Sequence, residues 1–247
     1  MRRHVSLHAA LLGGVVIGLV SAAGAGAQEL LTNPSLDQTY QQEITPGFSL
    51  PKPANWVNEG TRAVSGAYED EMSSEPWAGP APTPNTGSGD MGVFFKPFSG
   101  NAPDGAATGH LYQDNPATPG LLYTLTGWAG AEANMLGGAQ LAVEFLDAGG
   151  AEIAASGAEL DLRAAGLLTP NGQPFNYKQY TVTSLAPPGT ARVRARASMI
   201  NGMSNPLGGG QALVFDDLSL TAVPEPAALA PALVAAAMLL RRRRMPA

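Results

Sequence analysis

Glycine and proline punctuate this chain so densely that a helical body is excluded. They supply 30 and 21 of its 247 residues, and the runs between them are short and alternate apolar with polar side chains. Glycine costs a helix interior about 1 kcal/mol and proline about 3 kcal/mol relative to alanine. Alternation with a period of two suits a half-buried strand instead.

The alternation can be followed run by run. Leu121, Tyr123 and Leu125 face away from Leu122, Thr124 and Thr126, and the run ends at Gly127-Trp128. Leu141, Val143 and Phe145 oppose Ala142 and Glu144, and Asp147-Ala148-Gly149-Gly150 then reads as a turn. Tyr180, Val182 and Ser184 lead into Ala186-Pro187-Pro188-Gly189-Thr190, a turn with proline and glycine suitably placed. Ala191, Val193, Ala195 and Ala197 form an apolar face behind Arg192, Arg194 and Arg196. In the last run, residues 212–220, alternation puts Asp216 on one face with Leu218 and Leu220. Residues 159–168 alone read as helix, a turn or two within a connection. Residues 70–90 form a Pro/Ser/Gly-rich loop without periodicity, and no internal repeat is visible. The expectation is one all-β domain over residues 28–222, an antiparallel β-sandwich.

Composition narrows the chemistry. There is no cysteine, which excludes disulfides, thiolate nucleophiles and cysteine-bound metal. Residues 28–223 carry eight basic and nineteen acidic side chains, a net −11, and such a body repels nucleic-acid phosphates. His110 is the only histidine of that region. It shares a strand face with Asp114, which makes no catalytic constellation. Carboxylate pairs for glycoside hydrolysis can be drawn from nineteen acids in many ways and discriminate nothing.

Both chain ends carry targeting features. Arg2 and Arg3 precede the apolar residues 9–20, and Ala25-Gly26-Ala27 offers a small-x-small cleavage site before Gln28. Residues 1–27 therefore read as a signal peptide for signal peptidase. At the other end Val223-Pro224-Glu225-Pro226 leads into the uncharged residues 227–240 and then Arg241, Arg242, Arg243 and Arg244. That run would span about 21 Å as a helix, short of a ~30 Å hydrocarbon core, and snorkelling arginines can absorb part of the mismatch. The arginine block would stay cytoplasmic, leaving the body outside.

The tail, residues 223–247, resembles the PEP-CTERM sorting signal: Pro224-Glu225-Pro226, an apolar helix, then the arginine cluster. The resemblance implies a Gram-negative bacterium that makes exopolysaccharide and an exosortase that removes the tail. It also implies transient anchoring in the inner membrane and a final place in the cell envelope, at the outer surface or in the extracellular matrix. It gives an address and says little about activity.

The body, in turn, is similar to the galactose-binding-like jelly rolls, especially carbohydrate-binding modules of families 4, 9 and 22. Leu30-Leu31-Thr32-Asn33-Pro34-Ser35-Leu36-Asp37 resembles their first strand, Pro53-Ala54-Asn55-Trp56 the Pro-x-x-Trp that follows, and Val214-Phe215-Asp216-Asp217-Leu218-Ser219-Leu220 their end. Tyr123-Thr124-Leu125-Thr126-Gly127-Trp128-Ala129 and the runs that include Val143 and Pro187 match between them. Leu36 and Asp37 depart from the usual aromatic and glutamate. So does the Met- and Gly-rich loop 199–210. The resemblance implies a calcium ion (Ca2+) held by Asp37 and Asp216 with carbonyls of Asn33 or Ser35, oxygen donors that suit calcium. Asp216 satisfied by backbone amides, without metal, is the alternative, and Asp217 is expected to be solvated.

Sugar C–H faces pack on aromatic rings. Trp128, Trp77, Tyr112 and Tyr177 are the stock for such a platform, while Trp56 reads as core. Trp128, opposite Leu121, Tyr123 and Leu125, is placed at the surface. The arginines Arg192, Arg194 and Arg196, about 6.8 Å apart, could meet an acidic polysaccharide; cross-strand pairing with Glu144 and other acids is the plainer reading. The expected role is binding of, or structural participation in, an extracellular polysaccharide matrix, without catalysis. A non-binding spacer is the alternative, and a glycan-active enzyme ranks third.

Overall fold

A computed structural model describes residues 27–62, 72–76, 90–95 and 105–224. Thirteen strands alternate with turns: β1 (Gln28–Glu29), β2 (Thr39–Thr45), β3 (Phe48–Pro53), β4 (Val57–Arg62), β5 (Met72–Glu75), β6 (Gly92–Phe95), β7 (Ala107–Pro116), β8 (Leu121–Ala131), β9 (Leu136–Leu146), β10 (Ala158–Asp161), β11 (Lys178–Leu185), β12 (Arg192–Met203) and β13 (Leu213–Pro224). They form two antiparallel sheets. The first runs β11-β8-β13-β6-β5, with β1 on β13, and the second runs β10-β9-β12-β7-β4. Strands β2 and β3 pair as a separate hairpin. The fold is all-β, with sheets arranged as a jelly-roll-like sandwich.

Alternation builds the core. Tyr123, Leu125 and Ala129 of the first sheet and Leu111, Leu141, Val143, Phe145, Val193, Ala195 and Ala197 of the second are all buried in one cluster. Tyr123 meets Phe145 edge-on at 5.7 Å, and Phe95 meets Phe215 in the same way at 5.4 Å, a favoured aromatic geometry. Trp56 belongs to this core, 6 % exposed, with Nε1 donating to the Asn33 carbonyl at 3.0 Å. β1 lies against the end of β13, with Gln28 opposite Ala222. The first and last residues of the body therefore sit side by side.

Three local expectations are corrected. Residues 159–168 do not form a helix. Ala158–Asp161 is strand β10, with Leu160 opposite Leu141, and residues 162–168 are successive turns. Asp161 Oδ1 accepts the amides of Arg163 and Ala164, while Gly166, at φ +86°, leaves the helical region. The second correction is in β13. One extra residue intervenes between Asp216, opposite Trp128, and Ser219, opposite Thr126. Such a bulge shifts the alternation. Phe215 and Leu218 point into the core, whereas Asp216 shares the outer face with Val214 and Trp128, not the inner face with Leu218 and Leu220.

Among the described residues no helix is long and apolar enough to cross a membrane. The signal-peptide residues up to Gly26, including Ala25, lie outside the described residues, as do Glu225, Pro226 and the arginines Arg241, Arg242, Arg243 and Arg244 with the expected C-terminal helix. Ala27 and Pro224 are the outermost described residues. The third correction is in the stretch 70–90, expected to be loop: only residues 72–76 and 90 of it are described, Trp77 lying outside, and Met72–Glu75 is strand β5, with Met72 opposite Phe95 of β6.

Candidate functional site

The outward residues of four neighbouring strands in the second sheet meet in one groove of about 390 Å³. β4 contributes Glu59, β7 His110 and Tyr112, β9 Gln140 and Glu144, and β12 Arg194 and Arg196. The register explains the convergence. Glu59 stands opposite His110, His110 opposite Ser198, and Arg196 opposite Tyr112, while Arg194 stands opposite Glu144 across the next ladder. Because these side chains leave paired strands of a closed sandwich, backbone hydrogen bonds and the core beneath hold their positions.

The arginine stripe is paired across strands. Arg194 makes a fork with Asp114, Nε to Oδ1 at 2.6 Å and Nη2 to Oδ2 at 3.0 Å, and its Cζ lies 3.9 Å from the centre of the Tyr112 ring. Bidentate geometry and stacking are the contacts guanidinium makes best. The Asp114 bond holds Arg194 firmly in its charged form. Arg196 donates to Glu144 at 2.6 Å and to Glu159 at 3.3 Å, and its Nη1 donates to Ser198 Oγ at 2.7 Å. Arg192 is exposed at the start of β12. Tyr112 donates its hydroxyl to Glu59 at 2.8 Å, and burial together with that bond raises its pKa. His110 Nδ1 lies 2.7 Å from Ser198 Oγ, and burial, reinforced by Arg196, lowers its pKa. Asp114 and His110 share a face but bond to different partners.

One end of the other outer face is covered, while Thr181 and Thr183 of β11 stay exposed. Trp128, half-buried, packs with Phe94, Val214, Phe175 and Tyr177. Tyr177 is only 3 % exposed. Its burial and the nearby Asp216, Asp217 and Asp90 push its phenol well above the ordinary range. A Cβ on Gly130 would lie 2.7 Å from the Phe175 carbonyl oxygen, so glycine there is what lets the loop before β11 lie on the sheet. Tyr177 therefore offers no ring face to a ligand, and Trp128 is a wall of this cluster. Of the four aromatic candidates, Tyr112 alone reaches the groove, Trp77 lying outside the described residues.

The expected calcium residues separate into two groups. The Asn33 carbonyl already accepts from Trp56 Nε1 and the Leu36 amide, and its side chain ties Gln38 to Ala54. Asn33 is thus a structural staple and not a free donor. Ser35 is half-buried in the same turn. Asp37 Oδ1 accepts from the Met91 amide at 2.8 Å. Asp216 is 0 % exposed, and its Oδ1 accepts from the Asp217 amide. Asp217, the bulged residue, is exposed as expected, and partial desolvation first, then Asp90 and Asp37, raise its pKa. Asp90 is raised likewise by burial and by Asp37. Among the described residues no three carboxylate or imidazole side chains are arranged as a metal-holding group, so a cation there would need backbone carbonyls to complete its shell.

Sequence reading missed Glu59, Gln140, Glu152 and Ser198 at the groove and Asp90 beside Asp37. The alternation of β12 carries Ser198 as the next outward residue after Arg196. No local signal marks β4 as the partner of β7.

No family model matches the chain, and no curated protein matches it. Solved structures resemble it distantly. The enzymatically active domain of a bacteriophage CBA120 tailspike protein is 15 % identical over 69 % of this chain and 20 % of its own, with a TM-score of 0.45. This chain thus spans about a fifth of that protein. TmCBM61, solved in complex with β-1,4-galactotriose, is 16 % identical over 78 % of this chain and 97 % of its own, at 0.42. A CBM22-1 xylan-binding domain from Paenibacillus barcinonensis is 9 % identical over 82 % and 99 %, at 0.43.

Proposed function

We propose that this protein is an exported glycan-binding sandwich whose ligand lies along the groove of the second sheet. One observation carries the reading: a strand-built groove in which donors and acceptors are already set in place by one another, with Tyr112 among them. Sugar hydroxyls both donate and accept, and a surface ordered before binding loses less side-chain entropy on association. Arg194 and Arg196 are committed to Asp114, Glu144 and Glu159, so the groove is not an anion trap for uronate. A neutral, hydroxyl-rich polysaccharide fits it better. Arg194 occupies one face of Tyr112, which leaves at most the other for a sugar ring. Binding without turnover is part of the proposal.

The reading is tested by calorimetry of the purified protein against cellohexaose, xylohexaose, mannohexaose, hexa-N-acetylchitohexaose and hexagalacturonate. At least one neutral hexamer should bind, more tightly than hexagalacturonate, and Tyr112→Ala should weaken that binding. Silence across the panel would favour the inert spacer.

Signal peptidase cutting after Ala27, an exosortase acting at Pro224-Glu225-Pro226 and delivery to an extracellular polysaccharide matrix complete the proposal. They rest on the two terminal sequence patterns. Mass spectrometry of the protein secreted by its native host should give a chain that starts at Gln28 and lacks Arg241, Arg242, Arg243 and Arg244. Calcium also remains a proposal. Asp37, Asp216 and the Ser35 carbonyl are its remaining donors, with Asp90 and Asp217 as added negative charge.

A further inference from the structure

Ser198 lies beneath the groove, 0 % exposed, and its hydroxyl has two described partners. Arg196 Nη1 lies 2.7 Å from Oγ, and a guanidinium can only donate. His110 Nδ1 lies at the same distance on the other side. If Nδ1 carried a proton, Oγ would accept twice and its own hydrogen would be left buried without an acceptor, which is costly. If Nδ1 is bare, one chain satisfies every group: Arg196 donates to Ser198, and Ser198 donates to His110. A second contact agrees, since Arg196 Nη1 also approaches Nδ1 at 3.5 Å and has only hydrogen to offer. The ring proton then belongs on Nε2, at the tip of the imidazole, and His110 lines the groove. Among the described residues no protein group accepts a hydrogen bond from Nε2.

We infer that His110 is a fixed hydrogen-bond donor of the groove, presenting Nε2–H to an acceptor oxygen of the bound glycan. The inference rests on the glycan reading above and names one of its contacts: a hydroxyl, ring or glycosidic oxygen fits, whereas an ammonium substituent, which has no lone pair, does not. The surroundings keep the ring neutral near pH 7. Burial and Arg196, with Arg194 further off, oppose a second proton, against the weaker pull of Glu144 from β9 and Glu59 from β4. The donor is therefore present, and of one kind, across the neutral range.

Two measurements test it. Nitrogen-15 NMR of the His110 imidazole from pH 6 to 8 should show a neutral ring protonated at Nε2, and Ser198→Ala should release it into mixed tautomers. Calorimetry with the same hexasaccharides should show His110→Gln, whose side-chain amide reaches the position of Nε2, binding within about threefold of wild type. His110→Asn, whose amide stops near Nδ1, should bind roughly tenfold more weakly. Thermal melts of both variants check that each is folded. A ring protonated at Nδ1, or equal losses in the two folded variants, overturns the inference. Wild-type protein that binds none of the hexasaccharides overturns the glycan reading and the assigned ligand with it, whatever the tautomer.

Discussion

On the outer face of the first sheet, Phe94, Trp128 and Val214 are roofed by Phe175 and Tyr177. On the outer face of the second, His110, Tyr112, Arg194 and Arg196 line a groove. Both faces arise in the same way, as the outward half of alternating strands, and they end differently because of what alternation placed there. Large apolar side chains left in water favour any cover within reach, at about 25 cal/mol for each Å² buried. Gly130 removes the side chain that would hold that cover off. Charged side chains lose solvation under such a cover, and on the second sheet they satisfy one another laterally, with no cover among the described residues. An exposed-looking tryptophan is thus poor evidence of a binding platform when a loop of the same chain can reach it.

The sharpest test of the contrast is a pair of truncations. Tyr177→Ala should cost about 3 kcal/mol as a core cavity, lowering the melting temperature by roughly 6–12 °C. Tyr112→Ala should cost about 1 kcal/mol or less and act on glycan binding instead. Equal losses of stability, read by calorimetric melts, would erase the distinction between the faces.

Next in size is calcium beside the covered end. A cation bound only by the folded chain at a hundredfold over Kd adds about 2.7 kcal/mol, or some 5–11 °C at roughly 2–4 °C per kcal/mol. Without calcium Asp90 and Asp217 contribute a pH dependence of one sign. Their folded pKa values lie above the ordinary carboxylate value, so their contribution is most favourable at low pH and is lost as pH rises through the folded values. In chelator, Asp217→Asn should therefore stabilise the protein at pH 7; with calcium it should remove part of the gain. A melting temperature indifferent to chelator, calcium and this substitution would show that the carboxylates are balanced by the protein alone.

The smallest effect belongs to the groove. His110 has a folded pKa below its ordinary 6.5, so the unfolded chain binds the proton more readily. Its contribution to stability is present above pH 6.5 and is lost as pH falls below it. His110→Gln should flatten that part of the melting profile between pH 5 and 7. A wild-type profile already flat there would remove the ring from the linkage.

Much of the fold was legible along the chain. The runs that became β8, β9, β11, β12 and β13, their inward residues and the core position of Trp56 follow from alternation and turn chemistry, which act over a few residues. The face of Asp216 did not follow, because one bulged residue, Asp217 at φ +47°, inverts the pattern and leaves no mark in the local sequence. Nor did the helical reading of 159–168 survive, since pairing of Leu160 with Leu141 outweighed local propensity. At the groove, the arginine stripe could be read from residues 192–196 alone. Glu144 could be named as a partner from its place on a neighbouring run, and it pairs with Arg196; Asp114 could not, for it lies 80 positions from Arg194.

Sequence alone determined that this chain is a strand-built, acidic, cysteine-free sandwich, because composition and two-residue alternation express local backbone preference. Only the tertiary structure decided that Phe175 and Tyr177 cover Trp128, that Asp216 lies on the outer face, and that His110 meets Ser198. Those outcomes depend on strand register and loop reach, and both are settled by contacts between residues far apart in the chain.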